Sequence, residues 1–126
     1  MIDFYYLSGS PFAWRVWLAL EHKALKYKRI DLSFESGDLR MESYLALNPR
    51  GKAPVIVDGD ISIYESAVIL EYLEEKYPDS GNSLLPKDIQ SRTISRRLIN
   101  EIDVYLDVAS RRLLMATFFT PKEKWD

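Results

Sequence analysis

The sequence predicts an α/β fold: a small four-stranded mixed sheet with helices on both faces, followed by the first long helix of an all-α segment. Three observations predict it. Short apolar runs alternate with helix-period segments as far as Lys76. An Asp58-Gly59 pair separates two β-branched runs, the signature of a hairpin. Past Ser83 the pattern changes to one uninterrupted helical period.

The elements follow in order. Ile2 to Leu7 is short, apolar and aromatic, and reads as a buried strand. Gly9-Ser10-Pro11 breaks it. Trp14, Trp17, Leu18 and Leu20 then recur at helical spacing, so Pro11 to about Lys23 is a helix, with Pro in its first turn and His22-Lys23 in its last. Tyr27 to Leu32 is a second strand, residues 33 to 40 a polar loop, and Leu39 to Leu47 a short helix ended by Asn48-Pro49-Arg50-Gly51. Val55 to Val57 and Ile61 to Ile63 flank the hairpin turn. Val68, Ile69, Tyr72 and Leu73 mark a helix from Glu65 to about Lys76. The order β-α-β-α-β-β-α implies a parallel β-α-β start and an antiparallel hairpin edge, a thioredoxin-like arrangement. Residues 1–78 are expected to form this domain, 79–87 a linker, and 88–126 the incomplete start of a helical domain. In that last part, a run from about Asp88 to Phe118 puts Ile94, Leu98, Ile102, Tyr105, Ala109 and Leu113 on one stripe. A lone helix of this length is marginal in water and calls for partner helices, which are expected after Asp126.

Composition removes several functions. Of 126 residues, 17 are basic and 19 acidic, for a net charge of −2, which gives no electrostatic drive toward nucleic acid or anionic membrane. No run approaches the roughly 20 apolar residues of a membrane span. The start, MIDFYYLSGSP, lacks the basic and apolar regions of a secretory leader, so the cytoplasm is the expected compartment. There is no cysteine and one histidine, His22. Disulfides, thiolate metal sites, a cysteine nucleophile and a histidine triad are therefore excluded, and no metal is expected.

Four stretches carry a family likeness: Ser10-Pro11-Phe12-Ala13-Trp14-Arg15-Val16; Asn48-Pro49-Arg50-Gly51-Lys52-Ala53-Pro54-Val55; Tyr64-Glu65-Ser66-Ala67-Val68-Ile69; and Glu71-Tyr72-Leu73-Glu74-Glu75-Lys76-Tyr77-Pro78. In this order and spacing the chain resembles the soluble glutathione transferases of the Ser type, over nearly its whole length. The first stretch looks like the Ser-containing loop of the tau and zeta classes. It has Ser-Pro-Phe where the zeta loop carries Ser-Ser-Cys, which favours a tau-like or related bacterial-type site. Family members also carry a whole helical second domain, of which only the first long helix is seen here.

The resemblance implies a glutathione transferase that joins the glutathione thiolate to an electrophilic carbon, with peroxide reduction as a side activity. Glutathione is the cosubstrate, a hydrophobic electrophile the second substrate, and a homodimer the expected state. Ser10 is the implied catalytic residue: its hydroxyl would donate to the sulfur of bound glutathione. From the residues alone, Ser10 reads first as the N-cap of the helix that Pro11 begins, and it is the resemblance that turns it to the catalytic role. Glu65 and Ser66 would meet the γ-glutamyl end of glutathione, or simply cap a helix. Pro54 matches the family's cis-proline, which would leave the backbone of Ala53 to pair with the cysteinyl part. Lys52 and Arg40 would meet the glycyl carboxylate, or are plain surface charges. Asp103 resembles an acidic residue that reaches the glutathione of the neighbouring subunit, and otherwise belongs to a solvated stripe. Phe12, Trp14 and Tyr105 are the candidate electrophile pocket, with Arg111 and Arg112 as further candidates on the long helix; Trp17 is assigned to the core. The alternative to an enzyme is a glutathione-binding or protein-interaction module of the same fold with little or no turnover.

Overall fold

The computed structural model describes residues 1–120. Two compact units divide the chain, Met1–Leu84 and a second beginning at Leu85. In the first, β1 (Ile2–Leu7), α1 (Pro11–His22), β2 (Tyr27–Leu32), α2 (Glu42–Leu45), β3 (Val55–Asp58), β4 (Ile61–Tyr64) and α3 (Ser66–Lys76) follow one another. The strands lie in the order β2-β1-β3-β4. β1 and β2 run parallel, Ile2 opposite Tyr27 and Leu7 opposite Leu32. β3 runs antiparallel to β1, with Tyr5 opposite Val55, and antiparallel to β4, with Val55 opposite Tyr64. The expected α/β class, element order and hairpin are thus present.

Alternation along β1 divides the core. Ile2, Phe4 and Tyr6 face one side, where Ala13, Val16, Ala19 and Leu20 of α1 and Ile69 and Leu73 of α3 cover them. Leu7 faces the other side with Leu39, Tyr44 and Val55. Within α1 the buried face is made of small and branched residues, and Leu18 and Trp14 stand 70% and 53% exposed. Small residues at Ala13 and Ala19 let the helix approach the sheet closely.

The predicted helix over Leu39–Leu47 is replaced by two shorter pieces. A 3₁₀ turn covers Asp38–Arg40 and α2 covers Glu42–Leu45. Met41 between them is extended (φ −64°, ψ 139°). The sequence carries no breaker at this point. Burial of Leu39 and Tyr44 against the same face of the sheet fixes the two pieces separately.

The segment after Pro78 is tied to the first unit as far as Leu84. The Asn82 N–H donates to the His22 carbonyl (3.1 Å), and the Ser80 hydroxyl donates to the Lys23 carbonyl (2.8 Å). Gly81 has φ +55°, and a Cβ there would stand 2.4 Å from the Lys23 carbonyl carbon, so no side chain fits. Beneath it Lys23 is fully buried and pairs with Glu74 at 2.9 Å. Glu74 also accepts from the Leu84 N–H (3.0 Å) and from the Ser83 hydroxyl.

In the second unit one helical run proceeds from α4 (Ile89–Glu101) through a wide π-type turn (Ile102–Leu106) and α5 (Asp107–Leu114) to a second such turn (Met115–Phe119). Asp88 caps it, accepting from the Ser91 N–H at 2.8 Å. Ile94, Leu98, Ile102, Tyr105 and Leu113 are all exposed. Among the described residues no helix is long and apolar enough to cross a membrane.

Candidate functional site

Strand direction decides which residues share an end of the sheet. β1 and β2 finish together, since Leu7 lies opposite Leu32. Val55 at the start of β3 lies opposite Tyr5 and also opposite Tyr64, the last residue of β4. The connections that leave this end therefore carry Ser10, Arg40, Lys52-Ala53-Pro54 and Glu65-Ser66. Four segments far apart in sequence share this end because β1 runs parallel to β2 and antiparallel to β3.

Ser10 sits between β1 and α1 as the N-cap, with extended backbone (φ −86°, ψ 115°). Its Oγ accepts from the Ala13 N–H at 3.3 Å. A serine hydroxyl has one proton to donate and two lone pairs. The cap uses a lone pair and leaves the proton, so capping and donation to a ligand are compatible. Phe12 is half-buried beneath the Arg15 guanidinium, which lies 5.4 Å from its ring centre. The exposed Trp14 donates its indole N–H to the Tyr6 hydroxyl at 2.8 Å, which fixes the ring beside the turn. Trp17, assigned to the core, is half-buried and packs edge-on against Tyr6.

The Ala53–Pro54 peptide is cis. Lys52 has an exposed side chain, but its carbonyl is held twice, by the Tyr44 hydroxyl at 2.8 Å and by Asn48 Nδ2 at 2.7 Å. Burial pushes the Tyr44 phenol well above its ordinary value, so the hydroxyl remains a donor. Gly51 has φ +58°, and a Cβ there would meet the Leu39 carbonyl oxygen at 2.8 Å. The turn before Lys52 thus packs backbone to backbone against the turn that carries Arg40. Arg40 is exposed and lines a shallow hollow with Phe34, Pro49 and Arg50.

Glu65 is the N-cap of α3 and has a left-handed backbone (φ 69°, ψ 107°), uncommon for a residue with a side chain. Its carbonyl accepts the first helical bond, from Ile69 at 3.0 Å. The N–H groups of Ser66, Ala67 and Val68 precede that bond and have no partner within the helix. Ser66 is 5% exposed, and its Oγ accepts from Arg15 Nη2 at 2.5 Å.

Asp103 and Tyr105 both fall in the π-type turn of the second unit, where Asp103 is half-buried and Tyr105 exposed. Arg111, in α5, pairs with Asp107 at 2.7 Å, and Arg112 follows it.

Three contributors were not legible as such. Arg15 reads as a charge within a helix, and nothing local ties it to Ser66. Asn48 reads as a helix stop, and Tyr44 as one residue of the helix predicted over Leu39–Leu47. The signal in each case is a polar group on an otherwise buried face, and its partner is supplied only by tertiary contact.

Residues 4–82 match the family model "Glutathione S-transferase, N-terminal domain". The chain belongs to the glutathione S-transferase family and carries that family's N-terminal domain. It is 46% identical over 101 residues to glutathione S-transferase 1 of Dianthus caryophyllus, an alignment covering 79% of this chain and 44% of the relative. It is 40% identical over 86 residues to glutathione S-transferase Z1 of Arabidopsis thaliana, covering 68% and 38%. A solved glutathione S-transferase of the Antarctic clam Laternula elliptica is 33% identical with a TM-score of 0.78, covering 97% of this chain and 56% of that one. The chain therefore spans less than half the length of these two curated relatives.

Proposed function

We propose that this chain binds glutathione at the shared sheet end and acts in a glutathione transferase. The thiolate attacks an electrophilic carbon, a C–S bond forms, and the leaving group departs with its electron pair. Peroxide reduction by glutathione is a side activity of the same thiolate. The observation that carries the reading is Ser10, whose hydroxyl proton remains available at the α1 N-terminus while its lone pair caps the helix.

The chemistry asks for little more. A free thiol has a pKa of about 8.5, so only a small fraction is thiolate at neutral pH. A hydrogen bond to the sulfur and the positive end of α1 both favour the charged form. With no cysteine in the chain, the reactive sulfur arrives with the ligand. Ser66 and the free N–H groups of α3 take the γ-glutamyl carboxylate, Glu65 its amino group, and the Ala53 backbone the cysteinyl part. Lys52 and Arg40 attract the glycyl carboxylate. Phe12 and Trp14 lie beside the sulfur position and contribute to an apolar second-substrate surface. A cytoplasmic homodimer is the assembly we assign to the reading.

Calorimetry with glutathione and turnover of an aryl halide, for the native chain and Ser10→Ala, test it. The expected result is binding in both and a turnover loss of about 10- to 100-fold in Ser10→Ala, the worth of one hydrogen bond to a charged group. Binding without turnover in either protein supports the non-catalytic module. Absence of glutathione binding overturns the site assignment.

A further inference from the structure

We propose that Arg15 is a positioning residue for the ligand carboxylate at the α3 N-terminus, acting through the Ser66 hydroxyl. The inference rests on the glutathione reading above and deepens it. Ser66 is almost wholly buried, and its Oγ accepts a short bond from Arg15 Nη2. That bond occupies a lone pair with a cationic donor. The hydroxyl proton is then what Ser66 presents to a third group, and a hydroxyl that accepts from a cation is a stronger donor. An acceptor-only, negatively charged ligand group suits both facts.

The placement of Arg15 is itself built. Its guanidinium lies over the Phe12 ring, one turn back on α1. Phe12 follows directly on the Ser10-Pro11 cap. The helix that Ser10 caps and the helix that Ser66 begins are thus joined by one side chain, Arg15, across 51 positions of sequence. Arg15 thereby holds the Ser66 hydroxyl in place beside the N–H groups of Ser66, Ala67 and Val68, which have no partner within the helix. Lysine could supply a cationic donor to Ser66 but not the planar fork that lies over Phe12 while donating to it.

A double-mutant cycle tests the coupling, with glutathione affinity read by calorimetry for the native chain, Arg15→Ala, Ser66→Ala and the double variant. Each single variant is expected to bind glutathione about tenfold or more weakly. The double variant is expected to be no weaker than the weaker single, because removing Ser66 removes the route by which Arg15 acts. Arg15→Lys is expected to recover part of the affinity and Arg15→Gln less. Losses that multiply in the double variant overturn the proposal, as does equal binding by Arg15→Lys and Arg15→Ala. Far-UV circular dichroism checks each fold. If Arg15→Ala does not fold, the cycle is run with Arg15→Gln and the same outcomes apply. Failure of the native chain to bind glutathione is a separate result, and it overturns the function reading itself.

Discussion

Glu74→Gln removes the negative charge that faces the most deeply buried cation in the first unit. Lys23 is fully buried and its ammonium lies 2.9 Å from Glu74 Oε2. Burial opposes the charged carboxylate, but the Leu84 N–H, the Ser83 hydroxyl and Lys23 outweigh it and hold Glu74 at about 2, against an ordinary 4.5. Taken at face value the difference is worth roughly 3 kcal/mol. With 13% of the side chain still in water, about 2 kcal/mol is the better figure. The sign follows from the direction. A carboxylate depressed in the folded state contributes stability that is fully present above pH 4.5 and lost as pH falls toward 2. Urea unfolding at pH 7, 5 and 3, followed by far-UV circular dichroism, reads it. Glu74→Gln is expected to cost about 2 kcal/mol at pH 7, and the difference from the native chain is expected to shrink at pH 3. The Asn82 and Leu84 amides, which lie on this segment, are expected to exchange faster in the variant. An unchanged gap between the two proteins from pH 7 to pH 3 refutes the argument.

Three further outcomes follow from the same structure. Asp58 accepts from the hydroxyls of Tyr72 (2.9 Å) and Tyr77 (2.5 Å), and both phenols are pushed up to about 12, Tyr72 first by burial and Tyr77 first by the bond to Asp58. Phenolate absorbance is expected to show these two titrating late, and Asp58→Asn to lower Tyr77 more than Tyr72, whose burial remains; the stability they give is complete below pH 10 and lost as pH rises through 12. Ser10→Asp keeps a cap acceptor for the Ala13 N–H and sets a carboxylate against the glutathione sulfur, so thermal stability should hold while turnover falls below that of Ser10→Ala. Gly51→Ala meets the Leu39 carbonyl oxygen at 2.8 Å in a left-handed backbone, and a loss of about 1–3 kcal/mol is expected in the same urea assay.

Patterns of short range were legible in the chain. Short apolar and β-branched runs gave the strands, Asp58-Gly59 the hairpin, and Pro11 with Ser10 the start of α1. The break at Met41 was not, because it is imposed by Leu39 and Tyr44 seeking the same buried surface. The segment after Pro78 has the composition of a linker, yet its hydrogen bonds run to His22, Lys23 and Glu74. Composition reports that such residues can be solvated. It does not report that Glu74, the carboxylate paired with buried Lys23, takes the donors of Ser83 and Leu84.

What the sequence by itself determined was the family likeness, the element order and the absence of any protein thiol, since these depend on residue identity and local period. It also determined that Ser10 stands where a strand hands over to a helix. Only the tertiary structure decided how Ser10, Lys52, Ala53 and Ser66 come to one end of the sheet, and that Arg15 rests on Ser66. The reason is that strand direction and side-chain pairing across 51 positions are set by burial of the whole core, which no window of local pattern contains.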